Sequence, residues 1–239
     1  MKKKEIYEEP FVCNLFNEMS ASYIPMNTLA SFGFYPRWRK QAIEKITIRP
    51  GDRVTDLLTG TGESWASVLK KTGPSGKLTA LDFSPGMLAE ARLRKERYPG
   101  YDIHILEGSV FNNSIPPASQ DAVICTYGVK TFTEAQLAAF ASEIHRILKP
   151  GGQFSLIDVS LPKIKGLRAL YLFYISRIIP LLAGLFSANA AVYKMLGIYA
   201  RNFKDMKRAV PIFAGAGLPA TYCNYFFGCA TGICGRKPD

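Results

Sequence analysis

Arg53-Val54-Thr55-Asp56-Leu57-Leu58-Thr59-Gly60-Thr61-Gly62-Glu63 reads as a short apolar strand (Arg53 to Leu58) running into a glycine-bearing turn. The turn Arg49-Pro50-Gly51-Asp52 precedes it, and the pattern predicts a helix from about Ser64 to Lys71 after it. Gly60 and Gly62 permit positive φ and let a ligand approach the backbone closely. In an open α/β sheet, ligands bind at the carboxyl ends of the strands, where this loop falls. One G-x-G is common in tight turns, so two neighbouring features matter. A dinucleotide fingerprint wants a small residue three places after the second glycine, and here that place holds Trp65. The indole argues for a ligand without a pyrophosphate. The next strand, Leu78 to Asp82, ends in a carboxylate 22 residues after Gly60, placed to accept ribose hydroxyls or to cap the helix beginning at Ser84.

Working outward, Ser84-Pro85 supplies an N-cap and an N1 proline for a helix running to about Arg97. Ile103–Leu106 and Ala122–Thr126 read as strands three and four. Thr133 to Leu148 carries Leu137, Phe140, Ile144, Ile147 and Leu148 at helical spacing. Lys149-Pro150-Gly151-Gly152 ends that helix, and Gln153–Val159 is strand five. Alternation of this kind predicts a parallel sheet covered by helices on both faces. No internal repeat is visible.

The 239 residues suffice for one α/β domain, and 48% hydrophobic with 21% charged residues excludes a disordered chain. Glycine (20) and proline (15) exclude collagen-like and low-complexity readings. The five cysteines, Cys13, Cys125, Cys223, Cys229 and Cys234, form no C-x-x-C pair and are odd in number. Neither a disulfide framework nor a metal site is expected, and reduced cytoplasm is the expected location. No secretory signal is expected, because no apolar run follows MKKKEIYEEP.

The net charge of +11 is unevenly spread. Residues 1–162 hold 19 Lys and Arg against 17 Asp and Glu, whereas residues 163–239 hold 11 against 2. Such a field attracts nucleic acid, an anionic bilayer or an acidic substrate. Beside it lies the most apolar run, Leu167 to Phe186, long enough to span a membrane but with Arg177 and Pro180 in its middle. A lid helix or an interfacial helix is the expectation for it.

A ribose-bearing ligand without a pyrophosphate suggests S-adenosylmethionine. The core resembles a class I methyltransferase, and the chain from about Tyr23 onward resembles the ubiquinone/menaquinone-biosynthesis C-methyltransferase family. The resemblance lies in Met26-Asn27, Ser31-Phe32-Gly33 with Trp38, Asp56 to Glu63, Leu81 to Leu88, Leu148 to Gly152, Tyr193 to Arg201 and Tyr225 to Gly235. It implies an α/β, Rossmann-like fold: a doubly wound, mostly parallel sheet with a C-terminal antiparallel strand, N-terminal helices and a helical lid inserted after strand five. One domain is expected, divided into an N-terminal cap (1–45), a cofactor core (46–160), a lid and substrate region (161–208) and final strands (209–239).

Position by position, the resemblance implies that Asp56, Thr59, Gly60, Thr61 and Gly62 form the loop beside the methionine part of the cofactor, with Thr126 nearby. Asp82 would hold the ribose, Phe83 and Met87 would flank the adenine, and Ser109 with Val110 would read its edge. Tyr23 would close over the cofactor, its ring offered to the sulfonium. Core packing is the plainer reading for Tyr23, Phe83 and Met87. The departures are Thr59 in place of a glycine, which narrows the room, Ile24 and Ser109 in place of acidic or amide residues, Lys130-Thr131 in place of Arg-Asn, and Asn189 and Ala191 near acidic positions.

Methylating a ring carbon needs an electron-rich ring, hence a base or cation beside a phenol. His104 and His145 lie away from any strand's carboxyl end. Lys130, just past strand four, is the better candidate, as a phenolate-stabilising cation, through a water, or as a plain solvated loop lysine. Tyr127 and Arg201 are the further candidates for catalysis, and Asp158 either orients substrate or caps a loop. Tyr193 and Arg201, eight apart, would meet if the helix broke near Gly197. The expected partner is a hydrophobic aromatic or quinol substrate, with peripheral contact to the anionic cytoplasmic membrane face, or a lid whose basic face is merely solvated. A homo-oligomer is compatible with the sequence. Competing readings are a methyltransferase for another hydrophobic small molecule, an RNA-modifying protein, and a cofactor-binding protein without transfer. Nucleic acid is disfavoured because no basic-aromatic single-strand platform is present.

Overall fold

The computed structural model describes residues 5–31, 33–185 and 189–239, with backbone only at 29, 30, 185 and 190. Phe32 of the N-terminal motif and Phe186 at the end of the apolar run lie outside the described residues. Three helices come first: α1 (Glu9–Met19), α2 (Tyr23–Ala30) and α3 (Phe34–Ile43). Then strands and helices alternate: β1 (Arg53–Leu57), α4 (Trp65–Thr72), β2 (Lys77–Asp82), α5 (Pro85–Lys95), β3 (Asp102–Glu107), β4 (Gln120–Thr126), α6 (Glu134–Ile147) and β5 (Leu148–Val159). The lid holds α7 (Lys165–Phe173), a π-helical turn (Tyr174–Ile178), α8 (Ile179–Leu185) and α9 (Ala190–Phe203). The chain closes with α10 (Ala209–Gly215), β6 (Ala220–Tyr225) and β7 (Ala230–Arg236).

The strands form one sheet in the order β3-β2-β1-β4-β5-β7-β6. Every pair from β3 to β5 is parallel, and β7 runs antiparallel to both β5 and β6. Strand order reverses between β1 and β4, which makes their carboxyl ends the crevice where such sheets bind ligands. Fully buried strand residues such as Val54, Leu57, Val123, Ile124 and Leu156 show why the strands read as apolar runs: both faces are covered. Local hydrogen bonds set the helix starts. Ser84 accepts from Met87 N at 3.2 Å as the N-cap of α5, and Thr133 with Gln136 forms a capping box for α6.

Two sequence expectations change. Strand five begins at Leu148 rather than Gln153, because Leu148 already pairs with Gln120; residues 149–152 then bulge, and regular register resumes at Gln153 opposite Ala122. The helix at 190–203 does not break at Gly197, so Tyr193 and Arg201 are not brought together. Gly197 instead allows close approach of another helix: a Cβ there would sit 2.6 Å from Ser176 Oγ.

Candidate active site

The loop after β1 is held from beneath. Thr59 Oγ1 donates to Asp56 Oδ2 at 2.6 Å, Trp65 Nε1 donates to Thr59 Oγ1 at 2.9 Å, and Ser64 Oγ donates to the same Asp56 oxygen. Thr59 therefore turns its hydroxyl inward, into the loop's own support. Trp65 is fully buried under the turn, and a Cβ on Gly62 (φ 75°) would lie 2.6 Å from its ring. Gly60 (φ 56°) is different: a Cβ there would meet nothing within 4 Å, because this glycine faces the cleft.

The cleft is walled by Gly60, Thr61, Asp82, Phe83, Met87 and Thr126, with Tyr23, Tyr35, Arg39, Glu63 and Tyr127 closing its far side. Asp82 accepts Gly60 N at 2.7 Å and Ser84 N at 2.9 Å, so it braces the turn into α5 and also lines the cleft. Burial raises the Asp56 and Asp82 carboxyls to about 6. Thr61 Oγ1 and Arg39 Nε, in residues lining the cleft, are buried without a hydrogen-bond partner, which suits a polar ligand, whereas Asp56 lies beneath the loop and does not line the cleft. Ser109 and Val110 are not brought into this cleft. Ser109 donates to Glu9 Oε1 of α1 at 2.5 Å, and Val110 lines a smaller hollow behind Phe83.

Beyond the cleft lies a cavity of about 440 Å³ with a mostly apolar wall, including Phe34, Trp38, Leu170, Tyr171, Ile175 and Tyr193. Phe16, Tyr23, Tyr35 and Thr131 line both spaces and form the partition between them. Tyr23 and Tyr35 share a hydrogen bond of 2.8 Å across that partition. Among the described residues, Lys130 is the one charged side chain lining the cavity. Its Nζ lies 3.2 Å from Asp158 Oδ1 and donates to Tyr127 O at 2.5 Å, while its backbone N donates to Asp158 Oδ2 at 2.7 Å. Asp158 is fully buried and acts on Lys130 rather than facing the cavity; burial raises its carboxyl, and Lys130 opposes that.

The other two expected catalytic residues are elsewhere. Tyr127 (φ 69°) lines the cleft, but its hydroxyl donates to Tyr35 O at 2.7 Å and its ring stacks on Tyr35 at 3.8 Å. Arg201 is exposed and lines an outer groove with Arg177 and Lys194, away from the cavity. Neither His104 nor His145 lines the cleft or the cavity.

With this geometry, the model of the ubiE/COQ5 methyltransferase family matches residues 1–237. The chain belongs to that family. It is an S-adenosylmethionine-dependent methyltransferase, as its first loop implied. It is 32% identical over 224 residues to a demethylmenaquinone methyltransferase of Thermus thermophilus, covering 94% of this chain and 100% of that protein. The demethylmenaquinone methyltransferase of Desulfitobacterium hafniense is 30% identical over 230 residues, covering 95% and 90%. In fold, the methyltransferase resembles a SAM-dependent methyltransferase of Aquifex aeolicus with a TM-score of 0.56 at 17% identity, covering 83% and 89% of the two chains.

The donor set of the cleft fits the cofactor: a carboxylate at the end of β2, an open glycine face, a buried guanidinium and unpartnered polar atoms. Its free space is only about 40 Å³, because α1 and Tyr23 are drawn over it. Asn17 Oδ1 on α1 accepts from Ser84 Oγ at 2.7 Å and from Gly86 N at 2.9 Å, fastening the helix to the start of α5. Sequence reasoning missed Asn17, Arg39, Glu63 and Tyr35. The neighbouring Trp38 was noticed as part of a motif, and a charged residue beside it was the available signal for Arg39.

Proposed function

We propose that this methyltransferase methylates a ring carbon of a prenylated quinol, as in menaquinone- or ubiquinone-type biosynthesis. The observation that carries the reading is the partition of Phe16, Tyr23, Tyr35 and Thr131, which sets a large apolar cavity against the cofactor cleft with one buried cation in its wall. The names of the relatives agree with it. When bound, S-adenosylmethionine supplies an electrophilic methyl group, so the chain's task is positioning, exclusion of water and activation of the ring.

Asp82 holds the ribose, Gly60 to Gly62 admit the methionine part with Asp56, Thr59 and Thr126 supporting the site, and Arg39 Nε reaches toward the methionine carboxylate. Phe83 and Met87 would flank the adenine, and Ser109 with Val110 would read its edge. Tyr23 covers the sulfonium side. In the cavity, Lys130, held by Asp158, stabilises a ring phenolate, raising electron density at the carbon to be methylated. Asn27 Nδ2, buried on the cavity wall without a partner, donates to a ring oxygen. Exposed Ile164, Leu170, Phe173, Phe226 and Phe227, with Lys163, Lys165 and Arg168 close by in sequence, suit peripheral contact with an anionic membrane on the cytoplasmic side.

A second reading, another hydrophobic aromatic acceptor, draws on Lys130-Thr131 replacing Arg-Asn. The test is mass spectrometry of products from detergent-dispersed demethylated quinol incubated with enzyme and labelled S-adenosylmethionine. Label on a ring carbon supports the proposal; no label on the quinol, with label on other aromatic lipids, replaces it with the second reading.

A further inference from the structure

On the side of the lid facing away from the cavity runs an open groove of about 700 Å³ between α8 and α9. Arg177, Lys194 and Arg201 line it together with Ser176, Leu181 and Ile198. Lys194, Ile198 and Arg201 are spaced i, i+4, i+7 and so share one face of α9. Arg177 and Leu181 present the opposing wall, with Arg177 in the π-helical turn, a distortion frequent at functional sites. At Gly197 the helices approach closely enough that a Cβ would meet Ser176 Oγ, and that hydroxyl is buried with no hydrogen-bond partner.

No acidic residue lines the groove, and none of the three cations makes an ion pair among the described residues. Three like charges are gathered where nothing among the described residues neutralises them, at a cost in mutual repulsion that an anionic ligand would remove. The groove is also apolar along its length: Leu181 is 61% exposed and Ile198 39%. A free inorganic anion has no use for those side chains, whereas a lipid has both a phosphate and an apolar stem.

We propose that the groove between α8 and α9 is a docking site for the phosphate headgroup of an anionic membrane lipid. Arg177, Lys194 and Arg201 bind the phosphate, and Leu181 and Ile198 lie along the start of the acyl region. The opposite face of the same helical segment, at Ile175 and Ile179, walls the cavity, so a headgroup held here fixes the lid at the bilayer surface. The proposal takes its setting from the reading of a membrane-borne substrate. Its assay contains no quinol, so the two fail separately.

The test is sedimentation with phosphatidylglycerol-containing vesicles and with phosphatidylcholine vesicles. The combined variant Arg177→Gln, Lys194→Gln, Arg201→Gln should lose about a hundredfold in affinity for the anionic vesicles, and each single variant about fivefold. A charge-matched variant, Lys70→Gln, Lys95→Gln, Arg97→Gln, on α4, on α5 and in the turn after α5, should stay within about threefold, because distant charges are screened. S-adenosylmethionine binding by calorimetry verifies that the groove variant is folded; the single variants carry the test if it is not. Equal losses in both triple variants would overturn the proposal in favour of a diffuse basic surface. Saturable binding of inorganic phosphate that the groove variant loses, with vesicle binding unchanged, would also overturn it and leave a free-anion site.

Discussion

The Arg39 guanidinium donates to Glu63 Oε2 at 2.9 Å with the two side chains only 5% and 12% exposed, and this ion pair sits in the wall of the cofactor cleft. Arg39 also lies over the rings of Tyr35, at 4.7 Å, and Tyr127, at 5.5 Å. One residue thus ties α3, the first loop and the end of β4 together. Replacing Arg39 with Ala leaves Glu63 unpaired and should cost about 3 kcal/mol of stability. It should also weaken S-adenosylmethionine binding by about tenfold or more through loss of a charge-assisted hydrogen bond. Denaturant unfolding and calorimetry measure the two; unchanged affinity would remove Arg39 from the cofactor site.

Asp82 carries the pH dependence. Burial raises its carboxyl to about 6 in the free protein, above the ordinary aspartate value of 3.8. A raised folded-state value means that this residue and Asp56, also near 6, are less destabilising at low pH; their cost develops as pH rises from about 4 to about 6. With Asp82 as the proposed ribose acceptor in its ionised form, the sign for cofactor binding is opposite: affinity should fall as pH drops through about 6, with proton release on binding there. Calorimetry in buffers of different ionisation enthalpy detects that release, and Asp82→Asn should abolish its Asp82 part.

Gly60 and Gly62 stand two residues apart and should respond differently to alanine. Gly62→Ala drives a Cβ to 2.6 Å from the buried Trp65 ring, so it should cost about 2–4 kcal/mol, from overpacking plus the left-handed backbone. Gly60→Ala meets nothing within 4 Å and should cost only the backbone preference, about 1–2 kcal/mol, while obstructing the cofactor. Thermal unfolding and KM for S-adenosylmethionine separate them. Equal KM effects at matched stability would mean that Gly60 does not face the ligand.

Lys130→Met should reduce kcat by about a hundredfold or more while leaving cofactor affinity near wild type, since Lys130 lines the cavity and not the cleft. Lys130→Arg should recover much of the loss. Asp158→Asn should act through Lys130, shifting the pH profile of kcat rather than removing activity. A loss of cofactor affinity equal to the loss of kcat in Lys130→Met would refute this division.

Tethering of α1 over the cleft predicts a mobile cap. Asn17→Ala removes the acceptor for Ser84 Oγ and Gly86 N, and should speed cofactor association. Amide exchange of residues 9–19 should slow on cofactor binding in the wild type; no change in that segment would mean that the cofactor enters by another route.

What was legible in the sequence was whatever depends on neighbours along the chain. The strand–glycine–helix pattern at 53–72 and the N-cap at Ser84 are set by backbone conformation and local hydrogen bonds, and both stand in the structure. Asp82 at the end of β2 was found the same way, because the rule locating it is a spacing rule. The partners that the site residues find were not, because tertiary packing chose them. Arg39 meets Glu63 across 24 residues, Lys130 meets Asp158 across 28, and Ser109 is taken by Glu9 across 100. Arg201 stood at a motif position but faces an outer groove, since the unbroken α9 turns it away from the face of Tyr193. Sequence by itself determined the fold and the cofactor loop, because glycine φ preferences and apolar periodicity are properties of short segments. Which side chains share a cavity, and which cation faces substrate or solvent, was decided only when helices far apart in the chain packed against the sheet.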